Sequence, residues 1–179
     1  EPLRPGDVIE VRARGGLNYQ GKFNTNEEHD NDPALNFDLF VLQRDYARTA
    51  APLSLADLKD SGDQWLLDPE TVPVAERYQS TLICLQDVSI QDPQNWTPGS
   101  DTQPVTLTDG QGRTIPMLVG RDPAFPGTAP GGTFDVVAIF DQASYDFKSG
   151  YRLWVVDPTQ FDGGDTPGVP EPATAALLV

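Results

Sequence analysis

Glycine and proline set the grain of this chain, with 16 glycines and 17 prolines spread through 179 residues. Proline removes a backbone donor and fixes φ, and glycine weakens helix interiors, so few windows can hold an amphipathic helix. The best is Leu53–Lys59 (LSLADLK), where Ser54 is placed to cap a turn or two. Elsewhere short runs rich in β-branched and aromatic residues are bounded by turn residues. Strands are expected over Asp7–Arg14, Asn36–Gln43, Ser80–Ile90, Gln103–Thr108, Thr114–Val119, Thr133–Phe140 and Tyr151–Val156. Within NFDLFVLQ, Phe37, Leu39 and Val41 alternate onto one face. Asp109-Gly110-Gln111-Gly112 supplies the positive-φ residues of a tight hairpin turn. The fold class this predicts is all-β, a short-stranded barrel or sandwich. An N-terminal β-hairpin region is expected over 1–71, with a short helix near 53–59. A β-domain follows over 72–160, then a Pro/Gly linker and tail over 161–179.

Charge narrows the partners. Twelve basic residues stand against 27 acidic ones, a formal net charge of −15. Non-specific nucleic-acid affinity comes from Lys and Arg neutralising phosphates, and no basic stripe exists here. An anionic membrane surface is disfavoured for the same reason. The single cysteine, Cys84, cannot make an internal disulfide and sits in an apolar stretch, TLICLQDV, as a small hydrophobe would. With one histidine, one cysteine and one methionine, thiol and transition-metal chemistry have little to work with.

From Thr81 onward an apolar strand ends in Asp87-Val88-Ser89-Ile90. A polar loop follows over Gln91–Asp101, then VTLTDGQGRTIPMLV, the turn Pro130-Gly131-Gly132 and FDVVAIFDQASYDFKSGYRLWVVDP. This layout is similar to OB-fold-like domains that accompany secreted bacterial nucleases and other exported proteins. The glycine usual after the "fdv" strand is Ala138 here. The resemblance implies an OB-like C-terminal unit. There is also an internal echo. PGDVIEV near the start resembles PGGTFDVV, and each leads through a tyrosine-bearing segment to an aromatic strand, FDLFVLQRD or YRLWVVDP. Aligning Gly6 with Gly132 gives an offset of 126. A true repeat would place the second half of one β unit before a complete one over Val72–Pro158; similarity between unrelated hairpins would leave the same trace.

The search for catalytic chemistry comes up nearly empty. His29 lies in a charge-dense segment, NEEHDNDP, with no supporting nucleophile motif. Carboxylate pairs are numerous, but none stands out. The protein is therefore expected not to be an enzyme, and no cofactor is required. Calcium is the one metal the acidic loops could hold, through Glu28, Asp30 and Asp32 or through Asp162 and Asp165. Neither cluster has the spacing of an EF-hand loop. The candidate ligand-stacking aromatics are Trp96, Tyr145, Tyr151 and Trp154. Alternation puts Tyr151, Leu153 and Val155 on one face and Arg152 and Trp154 on the other. Trp154 is then a stacking platform, unless it plugs a core or a subunit contact.

The C-terminus carries an address. Val169-Pro170-Glu171-Pro172-Ala173 resembles the start of a PEP-CTERM sorting signal, found in Gram-negative bacteria that make exopolysaccharide. In that family the motif precedes a membrane helix and a basic cluster and is thought to be processed by an exosortase. The run that follows here, Ala173, Thr174, Ala175, Ala176, Leu177, Leu178 and Val179, is far shorter than the roughly 20 residues a membrane helix needs. The resemblance implies a cell-surface or extracellular protein, with membrane contact only through an anchor this sequence does not carry. Two functions compete. The first is a non-catalytic surface or matrix protein that self-assembles, its apolar tail added as a strand to a neighbour's sheet edge, among extracellular polysaccharide. The second is an OB-like module that binds carbohydrate or, less readily at this charge, nucleic acid.

Overall fold

In a computed structural model, the described residues are 2–4, 6–13, 16–19, 22–25, 37–47, 49–67, 73–100, 102–144 and 149–155. The strands, in chain order, are β1 (Val8–Ala13), β2 (Gly16–Tyr19), β3 (Lys22–Thr25), β4 (Phe37–Gln43) and β5 (Ala51–Leu53). They continue as β6 (Thr81–Ile90), β7 (Val105–Thr108), β8 (Thr114–Val119), β9 (Phe134–Gln142) and β10 (Tyr151–Val155), with a four-residue helix, α1 (Leu55–Leu58), after β5. The chain is all-β, as expected, and the choice between barrel and sandwich falls to the barrel. Two compact units are formed. One contains Glu1–Arg48 with Ala143–Gly150, and the other Thr49–Gln142 with Tyr151–Val179.

In the second unit five strands close on themselves in the order β6-β7-β8-β10-β9, with β9 returning to β6. All neighbours are antiparallel except β8 and β10, which run parallel. This is the Greek-key closure of an OB-like barrel. Closure needs one strand to serve two neighbours, and β6 does so by bending. Its first part pairs with β9, from Thr81 opposite Phe140 to Val88 opposite Phe134, and its last two residues pair with β7. The bend is a bulge between Leu85 and Val88, where Asp87 takes φ 55° and its N–H donates to Asp135 Oδ1 at 3.0 Å. A sixth strand, β5, adds parallel to β6.

The barrel is filled by the alternate residues of each strand. Ile83, Leu85, Val105, Leu107, Ile115, Met117, Val136, Phe140 and Leu153 are all at most 1% exposed. Non-strand residues join the same core. Leu55 and Leu58 of α1 are fully buried, and Asp57 Oδ2 holds the start of that helix by accepting from the Ser54 N–H and Oγ, both at 2.7 Å. Phe125, from the β8–β9 connection, is 6% exposed. The hairpin between β7 and β8 turns on Gly110 (φ 70°) and Gly112 (φ 95°), where the Asp109 carboxylate accepts from Gln111 N and Arg113.

The first unit holds two antiparallel two-stranded pairings, β1 with β4 and β2 with β3. The tyrosine-bearing segment after PGDVIEV, where no strand is expected, carries β2 and β3.

Candidate assembly surface

The β1–β4 ribbon begins at a tied corner. Gly6 takes φ 85°, a conformation that glycine reaches without a Cβ penalty. Its carbonyl accepts from Tyr46 N at 2.8 Å, so the corner closes across the two strands. Asp7 Oδ2 accepts from Arg4 N at 2.9 Å and from Arg44 Nη1 at 2.8 Å. The Asp7 side chain is only 3% exposed, and its other oxygen, Oδ1, has no hydrogen-bond partner among the described residues. Beside this corner lies a cavity of about 670 Å³ lined by Gly6, Asp7, Val8, Ile9, Gln43 and Tyr46.

Beyond the corner the pairing runs Ile9 opposite Val41, Glu10 opposite Phe40, Val11 opposite Leu39, Arg12 opposite Asp38 and Ala13 opposite Phe37. Directly opposed residues share a face. One face is therefore wholly apolar: Ile9, Val11, Ala13, Phe37, Leu39 and Val41. The other carries Glu10, Arg12, Asp38 and Phe40, where the Arg12 guanidinium pairs with Glu10 and sits 4.9 Å from the Phe40 ring centre. Leu42, left unopposed where the register slips between Val8 and Ile9, is 62% exposed.

Exposure makes this surface unusual. Ile9 (39%), Val11 (38%), Phe37 (41%) and Leu39 (37%) all show more than a third of their surface. Among the described residues the ribbon has no third strand, so the outer edges of β1 and β4 carry backbone N–H and C=O groups outside any ladder. An isolated two-stranded ribbon is marginal in water and gains stability from another strand or a packed layer. The ribbon thus combines an exposed apolar face with edges unpaired among the described residues.

The aromatic candidates separate in the barrel. Tyr151 is 1% exposed, its hydroxyl donating to Glu76 Oε2 at 2.5 Å and its ring 4.9 Å from Trp65. Trp96 is 8% exposed and donates Nε1–H to Pro126 O at 2.7 Å. Both belong to the core and present no stacking face. Burial of Tyr151 follows from the alternation that puts Leu153 and Val155 beside it. Trp154 points the other way and is half-buried, opposite Ile139 and Leu118, with the Arg152 guanidinium 5.8 Å from its ring. Tyr145 lies outside the described residues. So do Glu28, Asp30, Asp32, Asp162 and Asp165, and the tail Val169–Val179 with Pro170, Glu171 and Pro172. Among the described residues no three His, Cys, Asp or Glu side chains gather where they could hold a metal ion.

Two features of this surface went unread in the sequence. One is the Asp7–Arg44 pair, whose partners are separated by 37 positions. The other is that, among the described residues, no layer covers Phe37 and Leu39. Their alternation was legible and implies a core, but no sequence signal tells a core face from a face left open. Comparisons of the chain with family models, with curated proteins and with solved structures find no match.

Proposed function

We propose that this is a non-catalytic, exported protein of the cell surface or extracellular matrix that works by assembling with copies of itself. The observation that carries the reading is the β1–β4 ribbon, apolar on one face and open at both edges among the described residues. A strand added to such an edge satisfies backbone groups and extends the apolar face, the usual physics of β-augmentation. The chain carries a segment suited to the role in Ala173–Val179, seven residues with uncharged side chains that follow the Val169-Pro170-Glu171-Pro172 block, which resembles the start of an exported protein's sorting signal. One copy's tail on the next copy's ribbon is a head-to-tail contact, which propagates as a filament unless it closes into a ring. Deleting Pro172–Val179 is expected to abolish polymers seen by electron microscopy, and Leu39→Asp on the apolar face should do the same without changing the melting of the barrel. Polymers that survive both changes would overturn the reading.

A second reading, binding of extracellular polysaccharide, is favoured by the cavity at the tied corner. Tyr46 there is 49% exposed, Gln43 brings an amide, and Asp7 Oδ1 is an acceptor that no donor among the described residues meets. An exposed ring with an amide and a carboxylate is a set that grips sugar rings and hydroxyls. A glycan array probed with the wild type and with Tyr46→Ala tests it. Specific spots that vanish with the ring support binding at this corner, and an empty array removes the reading.

A further inference from the structure

We propose that the open edge of β4 is the seat of the Ala173–Val179 segment of a neighbouring copy, added parallel to β4 in the register that β8 holds against β10. This rests on the assembly reading above and names its edge, direction and register.

The ribbon repeats the β9–β10 pair of the barrel. The segment Pro5-Gly6 through Ala13 matches Pro130-Gly131 through Ala138, with Ile9 at Phe134, Glu10 at Asp135 and Val11 at Val136. Facing sets this offset at 125 rather than the 126 suggested by Gly6 and Gly132. Only then do Ile9 and Val11, on the ribbon's apolar face, fall on Phe134 and Val136, which point into the barrel core. Likewise FDLFV of β4 matches YRLWV of β10. Phe37, Leu39 and Val41 then take the inward places of Tyr151, Leu153 and Val155, and Phe40 the outward place of Trp154. Both pairs are antiparallel. They differ in register by four residues, because Leu153 lies opposite Phe140 where strict correspondence would put it opposite Val136. An even slip keeps every side chain on its face.

In the barrel the other side of β10 is filled by β8, parallel, with Leu153 beside Met117, Trp154 beside Leu118 and Val155 beside Val119. That strand reads Thr114-Ile115-Pro116-Met117-Leu118-Val119, and the tail reads Thr174-Ala175-Ala176-Leu177-Leu178-Val179. Both are six uncharged residues that begin with threonine and end in Leu-Val after a long apolar side chain. The inward residues of β8, Ile115, Met117 and Val119, are all at most 4% exposed. Their counterparts Ala175, Leu177 and Val179 extend the ribbon's apolar face, and Leu178 lies beside Phe40 on the opposite one. The pairs are Leu39 with Leu177, Phe40 with Leu178 and Val41 with Val179. No charge enters the apolar face, which suits a chain whose net charge of −15 opposes self-association elsewhere. Residues 156–172 separate Val155 from the tail, and 17 residues fully extended span about 56–61 Å, enough to reach a neighbour.

Disulfide trapping tests the seat in the full chain, with Cys84→Ala removing the native thiol. Copies carrying Phe40→Cys are mixed with copies carrying Leu178→Cys, and a covalent dimer is expected on a non-reducing gel. Moving the second cysteine to Leu177→Cys turns it to the other face and should cut the bridged fraction at least tenfold. Equal bridging by both positions overturns the strand register. Tail-dependent polymers without any bridge overturn the seat and leave the assembly reading standing. A bridge only inside one chain of the double variant F40C/L178C overturns the neighbour and the assembly reading together. A second measurement does not depend on cysteine variants. Excess synthetic peptide Pro172–Val179 should cap and shorten the polymers, and the same peptide with Leu178→Pro, which removes a ladder donor, should not; equal capping by both peptides overturns pairing through the backbone.

Discussion

Lys59 is 7% exposed and is held by three partners. Its Nζ donates to Asp63 Oδ1 at 2.7 Å and to Thr114 O at 2.6 Å, and lies 4.6 Å from the Trp65 ring centre. A buried ammonium is tolerated only when so paired. Lys59→Met keeps much of the stem but leaves the Thr114 carbonyl without this donor, and should destabilise the barrel by about 1–3 kcal/mol in urea unfolding. Burial alone would raise the Asp63 carboxyl, yet hydrogen bonds from Lys59 and Thr114 and the charge of Lys59 together hold it below the ordinary value. Asp109 behaves alike: burial is outweighed by Arg113 and by the backbone N–H groups of Gln111 and Arg113. Both carboxyls are lower in the folded than in the unfolded chain. Their contribution is therefore whole above the unfolded value, about pH 4, and is lost as pH falls through the folded values. Denaturant midpoints should drop on acidification below about pH 4. Asp63→Asn and Asp109→Asn should flatten that drop while lowering the midpoint at neutral pH; an unchanged slope would contradict this account.

At the scale of elements, turns decide which pairings form. The hairpin after β9 closes with Ala143 N donating to Gly150 O at 2.9 Å, and Gly150 takes φ 73°. A Cβ there would stand 2.5 Å from the Ala143 carbonyl oxygen, too close for backbone to yield cheaply. Gly150→Ala should thus cost about 1–3 kcal/mol, read as a lower melting temperature. Gly110→Ala meets nothing within 4 Å and carries only the positive-φ cost, so it should be the milder change. The bulge at Asp87 does comparable work within a strand, turning β6 from β9 toward β7. The β1–β4 ribbon shares the antiparallel sense and the facing of β9–β10, in a different register, yet nothing comparable to β6 and β8 flanks it among the described residues. Three more strands bury one pair; the other keeps its apolar face open.

For the whole molecule, charge and apolar surface pull in opposite directions. A net charge of −15 keeps copies apart, while in the proposed assembly the ribbon and the tail supply a short-range attraction. Screening shortens the repulsion from about 10 Å at 0.1 M salt to about 3 Å at 1 M, but barely weakens a buried strand pairing. Tail-dependent polymers should therefore grow faster at 1 M sodium chloride, followed by light scattering. A rate that falls with salt would mean that ion pairs, not strand addition, hold the copies.

Much of the barrel was legible because its signals are local. Alternation in YRLWV puts Tyr151 and Trp154 on opposite faces, DGQG makes the β7–β8 turn, and Gly and Pro keep helices short. Strand order was not legible, because closure through β6 and the parallel contact of β8 with β10 join residues far apart in the chain. The sequence by itself determined an all-β chain of short strands with an apolar face on NFDLFVLQ. Only the tertiary structure decided that the barrel closes without that face, since whether an apolar stripe is buried depends on which strands reach it, and no local pattern records that.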